Sequence, residues 1–238
     1  MSKFFSLIAG LLLSTAATAQ STVTVQATAA TQLYPRTQVI EEGTGTWCGF
    51  CPFGMEILEN LYKDVKDAPY IIIAVHQAQN AFSSELMEVF DYRFLRFQGF
   101  PEVWINRKKR TGFFNHEIPT FLREQNKKTP YKIATKVTKT DTFDYDITLT
   151  STLGFDNTKT NLRIQYVLVE DKVGPYNQTN YFSNRPELEG ADHPWVKKPY
   201  QVSTLYDDVA RKIYPVGIQA EQVGILPTEM RRGVPVSR

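Results

Sequence analysis

Both cysteines of the chain lie in "EEGTGTWCGFCPFGME", residues 41 to 56, with only Gly49 and Phe50 between them. Three chemistries fit two thiols at that spacing. The pair can cycle between dithiol and disulfide, supply half the ligands of a metal ion, or close a small structural bridge. A bridge over about four residues contributes roughly 2 kcal/mol by the chain-entropy estimate, the low end for disulfides, because it removes little freedom from the unfolded chain. Zinc takes four ligands, and beyond the cysteines the chain offers His76, His116 and His193, scattered without a paired spacing. Each reads as a core or surface residue, so no metal is expected. The adjacent Gly43-Thr44-Gly45 lacks the lysine and the third glycine of a phosphate-cradling loop. No motif calls for a cofactor.

The elements around the pair bear on the choice. Residues 37–42, "TQVIEE", read as a short strand, and residues 70–77, "YIIIAVHQ", as a continuous apolar strand of the kind covered on both faces. Between them Phe53, Ile57, Leu58, Leu61, Tyr62 and Val65 recur at helical spacing, with Glu59, Asn60, Lys63, Asp64 and Lys66 on the other face. Strand, helix and strand then form a right-handed parallel crossover. A second helix is expected over 83–97, capped by Ser83 or Ser84 and stopped at Gly99. Strands follow at 102–106 and 111–115, then a helix at 118–128. The basic run Arg107-Lys108-Lys109-Arg110 lies between those strands and reads as a solvated hairpin turn rather than a nucleic-acid surface.

On this map Cys48 and Cys51 fall at the start of the first helix, directly after the first core strand. Free backbone N–H groups and the positive end of the helix dipole favour a thiolate there, which makes Cys48 the expected nucleophile. Cys51, one turn further in, is placed to attack a mixed disulfide and release the partner. Pro52 suits a first helical turn, where its missing N–H costs nothing and its fixed φ helps.

The remaining chain changes texture. Lys3, the apolar residues 4–13 and Ala17-Thr18-Ala19 form the three-part layout of a secretory signal peptide over 1–19. Roughly 220 residues then remain, and two domains are expected, 20–129 and 130–238. Alternating strands at 131–140, 145–153 and 161–170 suggest a β-sandwich for the second. After residue 170 the breakers Pro175, Pro186, Pro194 and Pro199 suggest loops, and 221–238 also reads as loop, as if the sandwich were incomplete. With 27 basic against 25 acidic residues the charge is nearly balanced, which argues against a nucleic-acid partner. Beyond the signal no segment has the length of a membrane span.

"TWCGFCP" resembles the thioredoxin active site, with Trp47 immediately before Cys48, and "FQGFPEVWIN" resembles the thioredoxin stretch in which a cis proline faces the redox pair. The resemblance implies a redox-active disulfide between Cys48 and Cys51, a cis bond at Pro101, and a main-chain substrate contact at Phe100. It also implies a buried acid six residues before the first cysteine. That position is Glu42, a proton acceptor for Cys51; strand alternation predicts that Glu41 or Glu42 points inward but not both, with Glu42 the inward one. Trp47, Phe50, Phe53 and Phe100 would form an apolar rim for a protein substrate. Phe50 stands where thioredoxin has proline, which leaves the direction of exchange open.

Over nearly the whole chain, "VIEEGTGTWCGFCPFGMEILENL", "GFPEVWINR", "YVLVED" and "QTNY" resemble the outer-membrane-protein-28-related family of Gram-negative envelope proteins. The resemblance implies an α/β thioredoxin-like domain followed by an immunoglobulin-like β-sandwich. It implies an exported protein of the periplasm or outer membrane, attached peripherally if at all. Two functions follow from it. One is a thiol-disulfide oxidoreductase acting on protein thiols or disulfides, with a redox partner protein that the sequence does not identify. The other is an outer-membrane-associated, adhesin-like binding protein without redox turnover.

Overall fold

The computed structural model describes residues 32–77, 95–112, 117–125, 127–139, 145–154, 165–190, 192–214 and 236–237. The signal peptide expected over 1–19, residues 83–94 of the expected second helix, and His116 lie outside these. Strand β1 (Gln38–Thr44) leads through the cysteine loop into helix α1 (Cys51–Asp64), and the chain returns along β2 (Tyr70–His76). β1 and β2 pair in parallel, Glu42 opposite Ala74 and Thr44 opposite His76, as the crossover reading requires. Strands β3 (Glu102–Ile105) and β4 (Lys109–Gly112) add an antiparallel hairpin on the other side of β1, and helix α2 (Ile118–Glu124) follows.

Side-chain alternation gives each face of this sheet its own core. Ile40, Ile72, Val103 and Ile105 point to the face covered by α1 and pack with Phe53, Leu58, Leu61 and Val65. Ile73 and Val75 take the opposite face with Leu95, Phe97 and Trp104. Most of the helical period seen in the sequence is therefore the face that α1 buries, but Tyr62, expected on that face, is 52% exposed. The polar residues Glu59 and Lys63 of the helix are exposed, as is Lys66 just beyond its end.

The second half of the chain departs from the expected sandwich. Its described strands are β5 (Tyr131–Lys139), β6 (Tyr145–Leu153), β7 (Tyr166–Glu170), β8 (Val173–Thr179), β9 (Gln201–Tyr206), β10 (Val209–Tyr214) and β11 (Val236–Ser237), with a short helix α3 (Pro186–Glu189). They divide three ways. β5, β6 and β11 form a three-stranded sheet, and β8 and β9 form a two-stranded ladder. β7 and β10 join the first sheet, whose order becomes β4-β3-β1-β2-β10-β7. β10 runs parallel to β2 with Val209 opposite Ala74, so hydrogen-bonded strands cross the boundary expected at residue 129. Val209, Ala210 and Ile213 are buried in the process, which supplies a physical reason for the union: β2 would otherwise leave an open edge beside an apolar strand.

Three of these strands arise where breakers predict loop. β8 carries Gly174-Pro175, and its register against β9 shifts between Val173 and Tyr176, so the proline falls at an irregularity where no ladder N–H is required. Breakers thus mark a bulge here rather than the end of a strand.

Candidate redox site

The cysteine loop sits between β1 and α1. Cys48 and Cys51 are joined by a disulfide with their Cα atoms 5.3 Å apart. Cys51 is the first residue of the helix and Pro52 the second; Cys48 lies one turn before it, and its carbonyl accepts the Cys51 N–H at 3.2 Å. Phe50 at the N-cap offers no side-chain acceptor, so the first turn is tethered by the loop backbone itself. The disulfide is nearly buried, with Cys48 4% and Cys51 0% exposed.

The Phe100–Pro101 peptide is cis, and the Phe100 ring meets the edge of Trp47 at 5.4 Å. The residue before Cys48 and the residue before Pro101 are therefore in contact across 53 positions of sequence. Trp47 is fixed further by its indole N–H, which donates to the carbonyl of Gln77 at 2.7 Å. Phe50 is 38% exposed beside the bridge. Phe53, expected on the same rim, is instead buried beneath Phe182; it also lines a groove of about 290 Å³ with Glu56, Ile57, Ile118 and His193.

Glu41 and Glu42 are both buried, 0% and 2% exposed, which corrects the expectation that only one points inward. Alternation holds, but both sheet faces are covered. Glu41 receives a bidentate interaction from Arg107, whose Nη2 lies 2.6 Å from Oε1 and whose Nε lies 2.9 Å from Oε2. The turn that bears Arg107 has Asn106 and Arg107 at φ of 53° and 54°, a left-handed pair that folds the basic run back over the sheet. The run expected to be purely solvated thus supplies the counter-ion of a buried carboxylate. Arg110 and Lys109 also pair, with Glu102 at 3.2 Å and Glu117 at 3.2 Å.

Glu42 has no such cation among the described residues. It lies on the α1 face in register with Val103 and Ala74, and its Oε1 makes no hydrogen bond to a protein group. Burial, reinforced by the negative charge of Asp208, pushes its carboxyl up to about 8. At neutral pH it is therefore largely protonated. His76, on the same face and paired with Thr44, is pushed by burial down to about 3 and stays neutral. Its ring meets the edge of Tyr206 at 4.9 Å.

A distant segment completes the site. Thr179 and Tyr181 donate their backbone N–H groups to the carbonyls of Thr46 at 2.7 Å and Gly49 at 2.9 Å. The Tyr181 ring lies directly on Gly49, in space that a Cβ at position 49 would occupy, so a side chain there would have to displace the ring. Phe50 meets Tyr181 and Phe182 edge-on at 5.3 and 5.8 Å. His193 reaches Glu56 on α1 at 2.9 Å. None of these partners was readable as part of the site. "QTNY" served only as a landmark, and no local signal says that residues 178–182 meet residues 45–50.

Three comparisons with known proteins bear on this arrangement. No family model matches the chain, and no curated protein matches it. Among solved structures, HBP35 of Porphyromonas gingivalis aligns with a TM-score of 0.58 at 16% identity, covering 86% of this chain and 64% of that one. The two share a fold. A protein of Agrobacterium tumefaciens aligns at a TM-score of 0.40 with 14% identity, over 84% of this chain and 76% of that one. The chain spans about 64% of the length of HBP35. What the comparison supports is the fold, a mixed sheet with few helices consistent with a thioredoxin-like arrangement; the Cys48–Cys51 pair that is compatible with a redox module is read from this chain's own geometry.

Proposed function

We propose that the chain is an exported thiol-disulfide oxidoreductase of the Gram-negative envelope that acts on protein thiols or disulfides through Cys48 and Cys51. The observation that carries this reading is the Cys48–Cys51 disulfide at the N-terminus of α1, with a proton-bearing Glu42 on the sheet face that α1 covers. In the oxidising direction a substrate thiolate attacks Cys48 Sγ. The Cys48–Cys51 bond breaks, and the Cys51 sulfur leaves with the electron pair and takes the proton of Glu42. A second substrate thiolate then attacks the substrate sulfur of the mixed disulfide and expels Cys48 as a thiolate, favoured by the helix N-terminus. The substrate is left as a disulfide and the pair as a dithiol; reduction of a substrate disulfide is the same path reversed. Regeneration requires a partner protein that carries a disulfide or a dithiol according to direction. Trp47, Phe50 and Phe100 supply the apolar contact for a substrate, with the Phe100 backbone before the cis bond available to an extended chain.

The envelope address and the membership in the outer-membrane-protein-28-related family belong to the same proposal and rest on the signal-like N-terminus and the motifs in the sequence. The burial of the disulfide favours a second reading, a surface binding protein in which the bridge only locks the loop. Equilibration in glutathione buffers separates the two. A potential between roughly −120 and −270 mV fits an enzyme, and one below about −300 mV fits a structural bridge. Cys48→Ser is expected to abolish insulin reduction and thiol oxidation while the chain stays folded; activity equal to the parent would refute the catalytic role.

A further inference from the structure

Gln178 is fully buried, at the end of β8, 130 positions from Cys48. Its side-chain nitrogen donates to the Cys48 carbonyl at 2.9 Å and to the Thr179 carbonyl at 2.9 Å, with Gly45 O at 3.4 Å. Its oxygen accepts the hydroxyl of buried Tyr206 at 3.0 Å. Because a tyrosine hydroxyl facing an amide NH₂ would leave the carbonyls of Cys48 and Thr179 against an oxygen, this set of partners fixes which end of the amide faces the redox loop. The donor end does.

We propose that Gln178 is a positioning residue for the redox pair, holding the Cys48 main chain in place and directing the positive end of its amide dipole at the loop that bears the thiol. This rests on the oxidoreductase reading and adds to it the reason for a buried amide at this place. When the Cys48–Cys51 bond opens, the loop loses its covalent closure. The local ties of the loop then act beside those from β8 and the residues after it: Gln178 to Cys48 and Gly45, Thr179 to Thr46, and Tyr181 to Gly49. They keep Cys48 against the N-terminus of α1, where its thiolate is favoured, and the amide donor adds to the positive field there. The same segment covers the Gly49 flank with the Tyr181 ring, leaving the Trp47 and Phe100 flank for an incoming chain.

The test uses the reduced full chain in a Cys51→Ser background, so that a single thiol is read, and follows the pH profile of Cys48 alkylation by iodoacetamide. Gln178→Met keeps the volume and removes the donor. Its profile is expected to move to higher pH, with alkylation at neutral pH slowed roughly threefold or more. Near-ultraviolet circular dichroism reports whether the variant is folded. Should Gln178→Met not fold, Tyr206→Phe replaces it: the ring stays against His76, only the hydroxyl that orients the amide is lost, and a smaller move in the same direction is expected. An unmoved profile in a folded variant overturns the positioning role. Alkylation needs no substrate, so the two proposals fail separately. A displaced profile without turnover in the parent sinks the oxidoreductase reading alone, and turnover with an unmoved profile sinks only the role of Gln178.

Discussion

The two faces of the central sheet bury adjacent carboxyl groups by different means. On one face Glu41 meets a bidentate Arg107 and is satisfied as an ion pair. On the α1 face Glu42, one residue on, meets no cation among the described residues, and burial with the nearby Asp208 holds it protonated up to about 8. The first arrangement fixes a hairpin to the sheet. The second leaves a protonated carboxyl buried on the face that α1 covers. Two identical side chains thus become an ion pair and a buried protonated carboxyl, and what separates them is the partner that the fold brings to each face.

Arg107→Met tests the ion pair and should have the largest effect on stability. It leaves Glu41 buried without its counter-ion. Since the Arg107 side chain is 40% exposed and its ion is partly hydrated, a loss of about 2–3 kcal/mol is expected, below the full cost of breaking a buried pair. Urea denaturation at neutral pH measures it, and disulfide exchange by the folded fraction should be unchanged. If exchange fell in proportion to stability, the separation of the two glutamates would be lost.

Glu42→Gln tests the protonated carboxyl. With its pKa raised, Glu42 binds a proton in the native state that the unfolded chain releases above 4.5, so its contribution is complete below 4.5 and declines as pH rises through about 8. His76 has the opposite sign. Its lowered pKa makes its contribution complete above 6.5 and lost as pH falls toward about 3. Between 4.5 and 6.5 the two slopes cancel, which predicts a plateau flanked by declines of up to about 1.4 kcal/mol per pH unit. In Glu42→Gln the alkaline decline should disappear and the acid decline should begin at 6.5; in His76→Gln the acid decline should disappear and the alkaline one begin at 4.5. Denaturation of the oxidised protein across pH reads both. Under the proposed mechanism turnover by Glu42→Gln should fall about tenfold or more, since that mechanism draws its proton from Glu42.

The smallest effect belongs to the residue behind Asp208. Tyr62 donates to Asp208 at 2.7 Å from an exposed position on α1, and Tyr62→Phe should cost about 0.5 kcal/mol while leaving the plateau in place. A shift of the alkaline decline in this variant would show that Asp208 governs Glu42 more strongly than burial does.

Local pattern alone specified the strand, helix and strand around the cysteines, because one apolar face at helical spacing and one continuous apolar strand admit few other structures. It also specified β6 to the residue, Tyr145–Leu153, and placed Cys48, Cys51 and Glu42 in one unit, since their separations are short. Cis Pro101 came from a motif. What the sequence could not specify was the partner of each buried group. Arg107 returning to Glu41, β10 closing the edge of β2, and Gln178 reaching Cys48 each join residues more than 60 positions apart. Such contacts leave no periodicity in the chain, because a register of two or 3.6 residues records which face is buried and never what buries it. Only the tertiary structure decided that the cysteine loop of this protein is packed against a segment from the second half of the chain.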